Sequence, residues 1–160
     1  MKKNLKDLVT VIIPAYNKSL YTEKAIESVL NQSYQDIELI VINDGSTDNT
    51  VEILNKIKDS RFRYYNIENS GACAARNYGI NLAKGKFIAF LDCDDTYEKN
   101  KVESSLKFLN NNSDYKFVYT DVNLINIDGL KIGKTPHYTH HPGSGFIANK
   151  LILCDYNITN

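Results

Sequence analysis

The sequence predicts an α/β fold: a mostly parallel sheet with helices on both faces, then a smaller mixed or antiparallel second half. Three observations predict it. Strand-like apolar runs alternate with amphipathic stretches of roughly 10 to 15 residues, the length of a parallel crossover. The first run is near-continuous Val and Ile, as a strand covered on both faces requires, rather than the strict alternation of a half-exposed sheet. Finally, 160 residues at 42% hydrophobic and 24% charged content are enough for one core and too few for two.

Taken in order, residues 9–15 (VTVIIPA) form the first strand. The helix expected over 20–32 places Ala25, Ile26, Val29 and Leu30 on one stripe. A second strand over 38–43 ends in the polar turn DGSTDN. There Asn49, with Glu52 three residues on, has the form of a capping box for a helix carrying Val51, Ile53, Leu54 and Ile57. The third strand is 62–67; a turn at Gly71 opens a helix over 72–83, and Gly85 is expected to end it. Strand four, 86–91, runs straight into DCDD. Beyond it come a helix near 100–110 with Val102, Leu106 and Leu109, and a hairpin of 116–125 and 130–134 about Asp128-Gly129. A loop over 135–145 and a short helix over 147–153 complete the chain. A single domain follows, with a parallel first half at about 8–98 and the start of a second half at about 99–160.

Nineteen basic residues balance nineteen acidic ones, so bulk attraction to nucleic acid or an anionic membrane is excluded, and any anion must be held locally. The N-terminal segment lacks the apolar core and cleavage site of a secretory signal, and no run reaches the ~18 apolar residues of a membrane span. Cys73, Cys93 and Cys154 are odd in number and have no CxxC spacing, which argues for reduced thiols in a cytoplasmic setting. His137, His140 and His141 lie in a Pro-Gly loop with no regular element to orient them, so exposed histidines are the better reading than a metal site.

The conspicuous polar clusters of the first half all fall just past the carboxyl end of an expected parallel strand, the edge where open α/β sheets bind ligands. After strand one stand Ala15, Tyr16 and Asn17; after strand two, Asp44; after strand four, Asp92, Cys93, Asp94 and Asp95. In extended backbone Asp92 and Asp94 leave the same face, and three carboxylates in four residues repel one another unless a cation or strong donors compensate. Hard oxygen ligands suit Mg²⁺ or Mn²⁺, and an ion held by one or two carboxylates keeps positions open for substrate phosphates. The plain alternative is that Asp94 or Asp95 caps the next helix. Asp44 can accept an N–H from a base beside the Tyr16 ring, or can simply be turn chemistry. Arg76, among the small residues of ACAARNYGI, should reach an anion or a carbonyl at the sheet edge, or pair internally with an aspartate.

PAYN, VINDGSTDNT, NSGACAARNYG and GKFIAFLDCDD, in this order, closely resemble the family 2 glycosyltransferases over roughly residues 8–125. The resemblance implies a GT-A fold and an inverting transfer from a nucleotide-diphosphate sugar, usually a UDP-sugar, to a saccharide or lipid-linked acceptor. It implies a role in bacterial surface polysaccharide synthesis at the inner face of the cell membrane, with membrane association only through regions outside this segment. Ala15, Tyr16 and Asn17 would then border base and ribose, and Asp44 would accept from the base. Arg76 would contact the base side of the nucleotide, Asp92 the ribose with Cys93 beside it, and Asp94 would hold Mn²⁺ or Mg²⁺ between the phosphates. Asn43 stands where the family frequently has aspartate. The family's catalytic base, usually in a Glu-Asp pair, has no counterpart after Gly145, where Asp155 stands alone, so it is expected beyond Asn160.

Two other readings remain at this stage. The chain could bind nucleotide sugars without transferring them, if the base is absent. Alternatively, FLDCDDT resembles the nucleophile loop of haloacid dehalogenase-type phosphatases, with Asp92 phosphorylated and Asp94 as acid and base. Only 66 residues follow Asp94 in a chain of 160, little room for that fold's later motifs, and PAYN and NDGSTD would go unexplained.

Overall fold

The structure is a computed structural model that describes residues 7–120, 122–126 and 128–134. It divides after Ser104 into two units. The first contains β1 (Val9–Ala15), α1 (Ser19–Leu30), β2 (Ile37–Asp44), α2 (Thr50–Lys56), β3 (Phe62–Ile67), α3 (Ala72–Leu82) and β4 (Phe87–Phe90). Its four strands are all parallel, in the order β3-β2-β1-β4. The expected parallel nucleus is therefore present, with every strand within a residue or so of its expected span.

β1 and β2 are buried along their whole length, which is why their sequences do not alternate. The pleat still sorts the side chains. Ile40 and Ile42 pack with Ala75 of α3, and Ile12 lies against Gly79 of the same helix. The alternate residues, Val11, Ile13, Leu39 and Val41, project from the other face, the side taken by the buried Ala25, Ile26 and Val29 of α1. Each of these fully buried aliphatic side chains contributes on the order of 1.5–3 kcal/mol relative to exposure.

Two expected helix signals work differently. Asn49 makes no side-chain cap to α2; Asp48 does so instead, its Oδ1 accepting from the Thr50 N–H at 3.0 Å and the Thr50 hydroxyl at 2.5 Å. Asp48 also reaches α1, with Oδ2 accepting from the Ser19 N–H at 2.9 Å. One carboxylate that serves the positive ends of two helices outcompetes an asparagine that could serve only one. Gly85, likewise, is not the cap of α3, which ends at Ala83. It is glycine because a Cβ there would lie 2.5 Å from the Thr10 backbone N and 2.7 Å from the Leu8 carbonyl O.

α4 (Lys101–Asn111) begins in the first unit and continues into the second, with Val102 and Leu106 buried on its apolar stripe. The second unit holds the antiparallel hairpin of β5 (Asn123–Ile125) and β6 (Lys131–Lys134). Its first arm is much shorter than the expected 116–125 because 116–120 take no strand pairing. The turn is built at Asn126, whose Oδ1 accepts from the Asp128 and Leu130 N–H groups, with Gly129 at a φ of 81°. The helix expected over 147–153, the three histidines, Cys154 and Asp155 lie outside the described residues. Among the described residues, Cys73 and Cys93 are free thiols and no helix is long and apolar enough to cross a membrane.

Candidate functional site

In the strand order β3-β2-β1-β4 the connections from β1 run one way and the return to β4 runs the other. The crevice beyond the carboxyl ends of β1 and β4 is therefore the topological switch point of the sheet. Most of the sequence-predicted residues converge there, and the structure shows what holds each.

At the end of β1, Ala15 is buried and Tyr16 is about half exposed (47%), leaving its ring free to stack. Asn17 adopts a left-handed φ of 51°. Its backbone N–H donates to Ser46 Oγ at 3.1 Å, and its Oδ1 accepts from the Thr47 N–H at 2.8 Å. The Asn17 side chain thus ties the loop after β1 to the loop after β2. Asn43, buried, extends that lacing: its amide donates to Asn66 on β3 and its Oδ1 accepts from the Ser46 N–H. An aspartate could not provide that donor.

Asp44 is 2% exposed, and both its oxygens are engaged. Oδ1 accepts from the Ser70 N–H at 2.8 Å and Oδ2 from the Gly71 N–H at 2.9 Å, at the mouth of α3. Asn69 donates to the Asp44 carbonyl, and Gly45, at a φ of 73°, packs so closely that a Cβ would lie 2.9 Å from Asn69 N. Asp44 is therefore first an anchor of the α3 entry turn. Each carboxylate oxygen keeps a lone pair for a further donor.

On the β4 side, Arg76 of α3 donates to Asp92 Oδ1 at 2.5 Å, with both side chains mostly covered. The internal ion pair, rather than a free guanidinium, is what the fold builds. Cys93 is buried, with the Tyr16 backbone N–H beside its sulfur, and burial pushes its thiol up from the ordinary value. Asp94 is more than a third exposed and pairs with Lys18 Nζ at 2.9 Å. That hydrogen bond and the Asp94 charge hold the Lys18 ammonium above its ordinary pKa. Partial enclosure, followed by the charges of Asp94 and Asp92, raises the Asp95 carboxyl.

The DCDD loop thus sets three carboxylates against two cations, Arg76 and Lys18. A diphosphate approaching it alone would meet an acidic excess. Among the described residues no three His, Cys, Asp or Glu side chains are grouped to hold a metal ion. One exposed carboxylate is nevertheless a proper hard donor for Mg²⁺ or Mn²⁺ when phosphate oxygens and water complete the shell, so the donor set fits an ion that arrives with its substrate. Lys18 is the residue that the sequence reading misses: one exposed lysine among many has no local signal, and only the fold brings it to Asp94.

The sequence model of the glycosyl transferase family 2 matches residues 10–155. A Bacillus subtilis protein described as a glycosyltransferase of teichuronic acid biosynthesis is 42% identical over 158 residues, covering 94% of this chain and 61% of its own. Residues 1–349 of S. aureus TarS, solved in complex with UDP, superpose with a TM-score of 0.62 at 28% identity, over 66% of this chain and 33% of TarS. A Pyrobaculum calidifontis mannosyltransferase, solved with GDP-Man and Mn²⁺, gives a TM-score of 0.60 at 25% identity over 63% of this chain and 32% of its own. The chain thus spans less than two thirds of that Bacillus subtilis relative, and only 13% of a Pasteurella multocida chondroitin synthase that it also matches.

Proposed function

Since the chain belongs to glycosyl transferase family 2, we propose that it carries the donor site of an enzyme that transfers a sugar from a nucleotide diphosphate, UDP in the first instance, onto a growing polysaccharide. The observation that carries this reading is the geometry at the switch point: an exposed Tyr16 ring, the anchored Asp44 and the paired DCDD loop on one sheet edge. The UDP complex of TarS and the GDP-Man and Mn²⁺ complex of the mannosyltransferase support a nucleotide-sugar donor, and the latter supports a divalent ion.

In this reading the base stacks on Tyr16 while Asp44 uses a remaining lone pair to accept a base N–H. Asp92, fixed by Arg76, presents its second oxygen to the ribose. Asp94 would be the residue that holds the divalent ion, in exchange for Lys18. That ion, once bound, would supply neutralisation of the charge that develops on the leaving diphosphate. Displacement at the anomeric carbon from the opposite side would then invert it. The base that deprotonates the acceptor is assigned to none of these residues, because Asp44, Asp92 and Asp94 are committed to N–H groups and cations.

The test is UDP affinity measured by calorimetry with Mn²⁺ and with EDTA. Binding should be markedly tighter with Mn²⁺, and Asp94→Ala should remove that gain while leaving the metal-free affinity and the circular dichroism spectrum in place. A gain that survives Asp94→Ala rules out its metal role. Metal-dependent UDP binding with no turnover of any donor sugar would make the chain a binding module.

A further inference from the structure

Gln32, just past the end of α1, is 1% exposed and spends two of its three side-chain hydrogen bonds on one distant segment of chain. Its Nε2 donates to the Ser28 carbonyl at 3.0 Å and the Glu98 carbonyl at 2.8 Å, and its Oε1 accepts from the Val102 N–H at 2.9 Å. Its neighbours do the same. Ser28 Oγ accepts from the Tyr97 N–H at 3.0 Å, the Ser33 N–H donates to the Lys99 carbonyl at 2.8 Å, and Ser33 Oγ donates to Glu103 at 2.6 Å. The Tyr97 hydroxyl, in turn, donates to the Phe90 carbonyl at 2.6 Å, at the point where β4 ends.

The segment bound this way, 97–103, is the continuation of DCDD. Its other end meets α1 again through Lys18 and Asp94. Ten residues of helix from Lys18 to Ser28 rise roughly 15 Å. Three residues from Asp94 to Tyr97 span at most about 11 Å, and the extended lysine side chain makes up the difference. The loop therefore runs along α1 from its first turn to its last.

We propose that Gln32, just past the last turn of α1, with Ser28 of that turn beside it, is a positioning device for Asp94: it fixes the exit of the DCDD loop and so sets where that carboxylate can hold a divalent ion. This rests on the donor-site reading above. Gln32 touches neither nucleotide nor metal in that reading; it acts through the backbone of 97–102. A half-exposed carboxylate held, among the described residues, by an exposed lysine has no rigid support of its own, and the groups behind a metal ligand are typically worth 10–100-fold in metal affinity.

The test uses the whole chain, with UDP and Mn²⁺ as probes. Gln32→Met keeps the side-chain volume but removes three hydrogen bonds, and Ser28→Ala removes two, the one from the Tyr97 N–H and the one to the Ala25 carbonyl. The ratio of UDP affinity with Mn²⁺ to that with EDTA should fall about tenfold or more in Gln32→Met and less in Ser28→Ala, with the EDTA affinity unchanged in both. Should Gln32→Met fail to fold, Ser28→Ala, which leaves the buried amide intact, still gives the ratio. A lower melting temperature with an unchanged ratio would overturn the proposal, as would an equal loss in both affinities, since either marks a purely structural role. A wild-type ratio near one would instead overturn the metal-dependent reading itself.

Discussion

The ammonium of Lys18 occupies the coordination space of Asp94 that a divalent ion would need. Because the pair is exposed on both sides, the attraction is modest and easily exchanged. Lys18→Met should accordingly tighten the binding of Mn²⁺ alone, by about fivefold at most, as read from the EPR signal of the free ion. Unchanged or weaker binding would show that lysine and metal do not compete. Asp48 shows the opposite case, a carboxylate with nothing left to exchange. Its desolvation works to raise its pKa, but hydrogen bonds from Thr50 and Ser19 outweigh this and bring it to about 2. A folded-state pKa below the unfolded value stabilises fully above about pH 4, and the contribution is lost as pH falls toward 2. Asp48→Asn should therefore cost up to about 2 kcal/mol at pH 7, with the deficit narrowing between pH 4 and pH 2.5 in urea titrations. A deficit that stays constant across that window would remove the charge from the explanation. Neither residue is conspicuous in the sequence. Gln32, however, had a readable signal: it lies four residues after Ser28 and three after Val29, on the stripe of Ala25 and Ile26, and a polar side chain on a buried stripe needs partners.

The elements pack closely enough that two glycines are fixed by neighbours rather than by backbone conformation. A Cβ on Gly79 of α3 would come within 2.5 Å of the Ile12 Cγ2, a side-chain atom that can shift, and alanine would recover about 0.5–1 kcal/mol of helix propensity. The same Cβ on Gly85 would meet backbone atoms of β1 that cannot move without breaking the ladder. Gly85→Ala should thus destabilise by about 3 kcal/mol or more, and Gly79→Ala by about 1–2 kcal/mol, in denaturant midpoints. The reverse order would mean that the α3–β1 contact, not the β1–β4 entry, is the tighter one. The position of β1 was legible because a continuous Val-Ile run admits little else, and β1 and β3 both match their expected spans. The α2 cap was not, since the choice between Asn49 and Asp48 depends on α1 lying within reach of the same carboxylate. The hairpin's first arm was overextended for a related reason: the aromatic, β-branched run at 116–120 has strand propensity but no pairing partner among the described residues.

At the scale of the molecule, the residues of the proposed donor site from Ala15 to Asp94, together with Ser28, Gln32 and Lys18, fall within the first unit. The sheet edge that gathers them was legible from the position of each polar cluster after an apolar strand. Pairing of Arg76 with an aspartate was among its sequence readings, but the Lys18–Asp94 pair was not legible, because it joins segments 76 residues apart. Net charge is zero, so no long-range field supplements the local contacts. Donor binding should then be indifferent to the second unit's surface, where Leu130 and Ile132 are each about two-thirds exposed on the hairpin. Leu130→Ser with Ile132→Ser should leave the Mn²⁺-dependent UDP affinity within about twofold of wild type, the scatter expected of surface changes near ±0.5 kcal/mol. The same pair should raise the concentration at which the chain stays monomeric in light scattering, since exposed aliphatic side chains on a short hairpin favour association. A loss of UDP affinity well beyond twofold would place part of the donor site in the second unit and contradict a site closed within the first.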